Sequence, residues 1–210
     1  WRVDVIQANS PREFDPKERR KVFTAADIDS EGVKDPYIFV IGGLYYGFFS
    51  YAPRWSISSS SSHPEEEEMH GTGDVFNTGL IKSHTGLAVS SNGLDFRWIG
   101  DVLSPSDNGW DRFESRISTI LYIPPVFTAF YDGCAGVEEN YEERAGLAIS
   151  FDLEKFHKVS ESGPILVSPN ASGSLRYIDG IWVGDEIYYY YEYARPDGSH
   201  ELRMAKGRVN

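Results

Sequence analysis

The sequence predicts an all-β protein built from repeated four-stranded units, which is the architecture of a β-propeller. The first observation is a repeat: TGLAVS (85–90) and AGLAIS (145–150) match each other, and HELRMAK (200–206) is a weaker third copy. The second is an aromatic stretch upstream of each copy, since aromatic residues favour strands. The third is the lack of any window that sustains apolar residues at the helical spacing i, i+3, i+4, i+7.

Each repeat unit has the same order along the chain: strand, turn, aromatic strand, loop, Gly-Leu-Ala strand, turn and final strand. Trp98 and the segment around Lys158 fit the final strand of the first two units. The aromatic stretches are 45–49, 127–131 and 188–193, and the turns before them are Gly42-Gly43, Pro124-Pro125 and Gly184-Asp185. Four short antiparallel strands in about 40–50 residues describe one propeller blade.

We expect residues 1–210 to form a single propeller domain with recognisable blades at 33–100, 114–160 and 175–208. Residues 1–32 are expected to be the remnant of an earlier blade, in which Arg20 to Thr24 form the trailing strand. Three blades and a remnant do not close a ring. A closed propeller therefore needs more chain upstream, a partner, or an unusual architecture.

The first unit is lengthened by a polar and acidic insertion, SISSSSSHPEEEEMHGTG, at 56–73. We expect this insertion to be a solvated loop, because its composition cannot bury apolar area.

The charge and hydropathy of the chain disfavour some classes of binding partner. The formal net charge of −12 disfavours nucleic acid and anionic membranes, and no apolar stretch is long enough to span a bilayer. No signal peptide is visible, but the chain opens on Trp1, so the choice between a cytoplasmic and a secreted location stays open, as does the oligomeric state. The single cysteine, Cys134, excludes an internal disulfide and is expected to be a packed thiol.

Cofactor and metal chemistry are not expected. The chain has no glycine-rich phosphate loop, no Cys or His spacing typical of a metal site, and no Gly-x-Ser-x-Gly elbow. The candidate chemistry therefore rests on carboxylates and arginines.

Three sets of motifs resemble the five-bladed β-propeller glycosidases, the group that contains glycoside hydrolase families 32, 43, 68 and 130. They are Lys34-Asp35-Pro36 before a strand, the repeats GLAVSSNGLDFRW and GLAISFDLEKF, and YYYEY followed by DGSHEL. The resemblance covers most of the chain from residue 33 onward. It implies a five-bladed propeller, represented here by part of its blades, and cleavage of glycosidic bonds.

The resemblance also implies roles for two carboxylates. In those families the innermost strand of each blade starts near the central axis, and its first residues supply the catalytic carboxylates. Asp35 matches the Asp-Pro motif that stabilises the transition state or tunes the acid, and Glu114 matches the position of the general acid. The sequence Glu114-Ser115-Arg116 departs from the usual context of that acid. The base or nucleophile would precede Asp35, and residues 1–32 hold no convincing equivalent.

The residues themselves leave alternatives open. Asp35 could instead cap an Asp-Pro turn. Arg116 lies two residues after Glu114, so in a strand both side chains share a face. An arginine there could bind sugar hydroxyls or a substrate carboxylate through its fixed fork of donors, or simply form a salt bridge with Glu114.

Four more residues are candidates for substrate binding. Arg176 and Asp179 open the third blade and match Glu114 and Arg116 by position. Asp132 follows the aromatic strand of the second blade, although an Asp-Gly pair is often a turn. Trp110 could stack on a sugar ring or pack between blades.

The expected function is hydrolysis of glycosidic bonds in an oligosaccharide or polysaccharide, with Asp35 and Glu114 as catalytic carboxylates. Two alternatives remain. A phosphorylase like those of family 130 would use inorganic phosphate as the nucleophile, and Arg116 and Arg176 suit it. A propeller that binds carbohydrate without catalysis would keep the aromatic and arginine lining but lack the acid pair.

Overall fold

A computed structural model of the protein describes residues 1–54 and 75–208. Within those ranges the chain is built of strands joined by turns and four single-turn 3-10 helices, which confirms the prediction of an all-β protein. The predicted insertion at 56–73 lies outside the described residues. The strands are β1 (Arg2–Val5), β2 (Arg20–Thr24), β3 (Ser30–Ile41), β4 (Leu44–Pro53), β5 (His84–Ser90), β6 (Arg97–Leu103), β7 (Glu114–Ile123), β8 (Val126–Cys134), β9 (Arg144–Ser150), β10 (His157–Lys158), β11 (Leu175–Val183), β12 (Glu186–Ala194) and β13 (His200–Arg208). The 3-10 helices are Pro16–Glu18, Ala25–Ile28, Val75–Asn77 and Val137–Glu139.

The strands of the described residues pair into three sheets. One sheet has the order β3-β4-β5-β6, and β1 pairs with β2. A second sheet has the order β13-β12-β11-β9-β8-β7, with β10 on β9. Within it, β7-β8-β9 and β11-β12-β13 are antiparallel, and a short parallel contact at Leu175 and Arg144 joins them. The three predicted turns lie between β3 and β4, between β7 and β8, and between β11 and β12.

The chain divides into two compact units. The first comprises Trp1–Lys82 and Gly86–Asp101, and the second comprises Ser83–Thr85 and Val102–Asn210.

The first unit has an aromatic core. Phe23 and Phe49 are buried and meet edge to face at 5.5 Å, and both contact Trp98. Gly86 opens the first Gly-Leu-Ala copy because a Cβ atom there would collide with the indole of Trp98.

In the repeat of the second unit, a glycine again makes room for an aromatic ring. A Cβ atom on Gly146 would lie 2.5 Å from Cε1 of Tyr131, whose side chain is fully buried. In β12 the side chains alternate between two faces, and Tyr189, Tyr191 and Tyr193 share the face that packs against a buried cluster around Ile178. This face of β12 thus packs against Ile178 of β11 and Phe130 of β8.

Candidate active site

A bulge interrupts each of the long strands β3, β7 and β11. Asp35 is the extra residue of β3 between Lys34 and Pro36, and the register of β7 shifts between Ile117 and Thr119. In β11 the shift falls after Arg176, where Tyr177 has a left-handed backbone with φ 52°. Bulges occur often beside active sites, because they change the direction of a side chain.

The start of β7 is fixed by its neighbours in the second unit. The backbone amide of Ser115 donates to the carbonyl of Ser83 at 3.0 Å, and Thr85 Oγ1 donates to the carbonyl of Ser115 at 2.8 Å. Glu114, the first residue of the strand, therefore has a defined position. It is 2% exposed.

Arg116 is the centre of a buried ion cluster. Its guanidinium lies 3.3 Å from Glu114 Oε1, 3.2 Å from Asp132 Oδ2 and 3.8 Å from Glu143 Oε1. Glu114 and Arg116 share a face of β7, as the spacing predicts, and the salt bridge foreseen between them is present. All four side chains are almost completely buried.

A second arginine extends the cluster toward β12. Arg176 Nη1 donates to Glu143 Oε2 at 2.7 Å, and Arg176 Nε donates to Glu192 Oε2 at 2.9 Å. Glu143 therefore bridges the two arginines. Glu192, whose side chain is 36% exposed, forms the outer edge of the cluster.

Tyr177 lies across both guanidinium groups. The Cζ atoms of Arg116 and Arg176 are 4.5 Å and 4.7 Å from the centroid of its ring. Its backbone amide donates to Asp132 Oδ1 at 3.0 Å, so one buried carboxylate holds both Arg116 and the bulge of β11.

Burial and the neighbouring opposite charges shift the pKa values of the cluster in opposite directions. Burial, opposed by Arg116, raises the pKa of Asp132 to about 6. Burial alone would also raise the pKa of Glu143, but Arg116 and the hydrogen bond from Arg176 outweigh it and hold that pKa below its usual value. Burial disfavours the charged form of Arg116, yet Glu114, Asp132 and Glu143 keep its pKa well above the usual range.

Among the described residues, carboxylates outnumber guanidinium groups at this cluster. Four of these carboxylates face two guanidinium groups, and each guanidinium contacts at least two of them. Such a site favours an uncharged or cationic ligand over an anion.

The other candidates of the second unit lie apart from the ion cluster. Trp110 donates its indole N–H to the carbonyl of Ser160 at 2.8 Å and stacks on Tyr131 with ring centroids 5.7 Å apart, so packing accounts for its contacts. Asp179 is exposed and accepts a hydrogen bond from Thr119 Oγ1 at 3.3 Å.

Asp35 lies in the first unit. Its backbone is left-handed, with φ 46°, a conformation that aspartate tolerates better than most residues. Its side chain is 43% exposed and lies 3.6 Å from Lys34 Nζ. The residue therefore occupies a bulge and presents its carboxylate to solvent.

No protein-family model and no curated protein matches the sequence. A family 117 glycoside hydrolase of the marine bacterium Zobellia galactanivorans matches with a TM-score of 0.63 and 13% identity, over 89% of this chain and 55% of that one. A beta-1,2-mannobiose phosphorylase from Listeria innocua matches with a TM-score of 0.55 and 19% identity, over 85% and 46%. A GH32 beta-fructofuranosidase of Bombyx mori matches with a TM-score of 0.56 and 15% identity, over 86% and 35%.

The chain has the fold of part of these β-propeller glycosidases. It spans about half the length of the first solved structures that it matches, and the identities are low, so the likeness concerns the fold.

Sequence reasoning missed three members of the cluster, Glu143, Tyr177 and Glu192. Glu143 stands in the charged run Glu142-Glu143-Arg144, and only its position just before the second Gly-Leu-Ala copy sets it apart. Tyr177 looks like an ordinary strand aromatic, because the sequence of β11 does not reveal its bulge. Glu192 lies among tyrosines that alternate in a strand, and no signal in the sequence reveals its contact with Arg176.

Within residues 1–54 and 75–208, no group of three His, Cys, Asp or Glu side chains could hold a metal ion, and no helix is long and apolar enough to cross a membrane. Cys134 is buried, and burial, reinforced by Glu114 and Glu143, raises the pKa of its thiol.

Proposed function

We propose that the protein hydrolyses glycosidic bonds in an oligosaccharide or polysaccharide, with Glu114 as a catalytic carboxylate. One observation carries the proposal: Glu114 is the first residue of β7 and lies beside Arg116 in a buried cluster of carboxylates. The resemblance to propeller glycosidases implies the general acid at this position. The glycosidase fold supports the same class of reaction.

Hydrolysis needs two carboxyl groups with different tasks. A protonated acid gives its proton to the leaving oxygen, while a carboxylate activates water or attacks the sugar directly. We propose Glu114 as the acid. We also propose that Arg116 and Arg176 position the neighbouring carboxylates and orient the sugar. Asp132 acts through Arg116, because its carboxylate is completely buried. Asp35 is proposed as a tuning or stabilising carboxylate and is tested separately.

A phosphorylase is less favoured by the charge of the cluster. Phosphate would require guanidinium donors, and those of Arg116 and Arg176 already contact several carboxylates. An incoming phosphate would add negative charge where negative charge is already in excess.

A propeller that binds carbohydrate without catalysis is the second candidate. The burial of Glu114 favours it, because an acid that is 2% exposed must gain access to the glycosidic oxygen before it can act.

The test is a glycan-hydrolysis screen on the full chain, with and without inorganic phosphate. Glu114→Gln and Asp35→Asn are compared with Glu154→Gln, an exposed glutamate of the same unit as Glu114. Hydrolysis without phosphate that falls about 10²-fold or more in Glu114→Gln, but not in Glu154→Gln, supports the proposal. Turnover only with phosphate identifies a phosphorylase. Glycan binding without turnover under either condition identifies the binding propeller.

A loss of activity in Asp35→Asn at unchanged melting temperature supports a role for Asp35 in the reaction. A marked fall in melting temperature instead favours a structural role in the bulge of β3.

A further inference from the structure

We propose that Tyr177 is the sugar-contacting residue of the candidate site and that it selects uncharged sugar rings. The inference rests on the proposed function, since it names the substrate class of the same site. It starts from a difference in exposure. Tyr177 is 38% exposed, whereas Arg116 and Asp132, which both contact it, are each 3% exposed or less.

The backbone of Tyr177 is held in an unfavourable conformation. A left-handed φ of 52° is rare for a bulky residue and is energetically unfavourable. The amide hydrogen bond to the buried Asp132 Oδ1 stabilises this conformation. Strain of this kind is found where a side chain must point in one direction for function.

The ring is also fixed from the side of the cluster. The guanidinium groups of Arg116 and Arg176 lie within 4.7 Å of the ring centroid, which is the geometry of a cation–π contact. A tyrosine that is rigid in backbone and ring, with about a third of its surface open, suits contact with the C–H face of a sugar and hydrogen bonding to a hydroxyl.

The charge of the surroundings sets the kind of sugar. Carboxylates outnumber guanidinium groups in the cluster, and Glu192 stands at its partly exposed edge. A uronic acid would bring another carboxylate to this edge and be repelled. An uncharged hexose or pentose ring meets no such penalty.

The experiment measures binding of four hexasaccharides to the full chain by isothermal titration calorimetry: those of mannose, glucose, xylose and galacturonic acid. Tyr177→Asn removes the ring and keeps a residue that tolerates the left-handed backbone. Tyr177→Phe keeps the ring without the hydroxyl. Tyr122→Asn is the matched control, because Tyr122 is 37% exposed and lies at the far end of β7 in the same unit.

We expect at least one neutral hexasaccharide to bind, and its affinity to fall about 5- to 10-fold in Tyr177→Asn. Tyr177→Phe should stay within about threefold of the parent, and Tyr122→Asn should match it. The hexagalacturonate should bind more weakly than the best neutral probe.

Four results overturn the inference: no binding of any neutral probe, unchanged affinity in Tyr177→Asn, tighter binding of the hexagalacturonate, or equal losses in Tyr177→Asn and Tyr122→Asn. Binding that depends on Tyr177 without turnover removes the proposed hydrolase and keeps the sugar contact. Turnover with an unchanged KM in Tyr177→Asn removes the sugar contact and keeps the hydrolase.

Discussion

The substitution Asp132→Asn should change how the stability of the protein depends on pH. The carboxylate of Asp132 is completely buried and faces three groups: the Arg116 guanidinium, the Glu143 carboxylate and the backbone amide of Tyr177. Burial and Glu143 favour its protonated form, while Arg116 and the amide favour its charged form. Burial is the largest effect, so the pKa rises from 3.8 to about 6 in the folded protein.

The sign follows from proton uptake. Between pH 3.8 and about 6 the folded protein binds more protons at Asp132 than the unfolded chain, so the free energy of unfolding falls as pH rises through this window. Two pKa units correspond to about 3 kcal/mol in total, at about 1.4 kcal/mol per unit. About 2 kcal/mol of this loss falls between pH 4.5 and pH 7.5.

The assay is urea unfolding of Asp132→Asn and the parent protein at both pH values, with Asp179→Asn as the control because Asp179 is exposed. The amide that replaces the carboxylate in Asp132→Asn does not titrate, so the variant should gain about 2 kcal/mol relative to the parent on going from pH 4.5 to pH 7.5. Glu143 has a lowered pKa and shifts stability the opposite way, but it is present in both proteins and largely cancels.

A difference between variant and parent that is the same at both pH values, within about 0.5 kcal/mol, would refute this reasoning about Asp132. So would a variant that loses stability relative to the parent as pH rises. An equal effect in Asp179→Asn would assign the pH dependence to net charge rather than to the buried carboxylate.

Three further substitutions test the packing of the second unit by urea unfolding. Arg116→Met should cost about 3–5 kcal/mol, because it leaves buried carboxylates without their cation; a loss under about 1 kcal/mol would contradict the cluster. Gly146→Ala should cost about 1–3 kcal/mol because its methyl group meets the buried Tyr131 ring, whereas Gly163→Ala, with no atom within 4 Å, should be nearly neutral. Tyr131→Phe should cost about 1–2 kcal/mol, because it removes the hydroxyl that donates to Asp111 Oδ2 at 2.9 Å; an unchanged stability would contradict that hydrogen bond.

The repeat was readable from the sequence because its physical cause is local. The glycine of each Gly-Leu-Ala copy accommodates an aromatic ring from a neighbouring strand, Trp98 of β6 over Gly86 and Tyr131 of β8 over Gly146, so each glycine recurs with an aromatic partner. The turns were readable for the same reason, since short loops between antiparallel strands require glycine, proline or aspartate.

The candidate site was only partly readable. Glu114 and Arg116 share a face because of strand periodicity, which the sequence displays. The bulge that brings Tyr177 over Arg116 depends on how β11 pairs with β12, and no single strand encodes that register. Glu143 joins the cluster because β9 starts beside β11, which is a property of the sheet order.

Two buried polar networks on opposite faces of β7 show why the cluster of Arg116 is the better candidate for function. Ser115 faces Lys158, whose ammonium donates to Ser115 Oγ at 2.9 Å and pairs with Asp111 Oδ2 at 2.6 Å, so one cation meets one anion. On the other face, the described carboxylates that contact Arg116 and Arg176 outnumber these two arginines. A balanced pair can serve the fold, but buried charge in excess destabilises it. The strained backbone of Tyr177 adds a second cost at the same place. Uncompensated buried charge and a strained backbone at the same place are expected at a functional site, where side chains are held in a required geometry at a cost in stability.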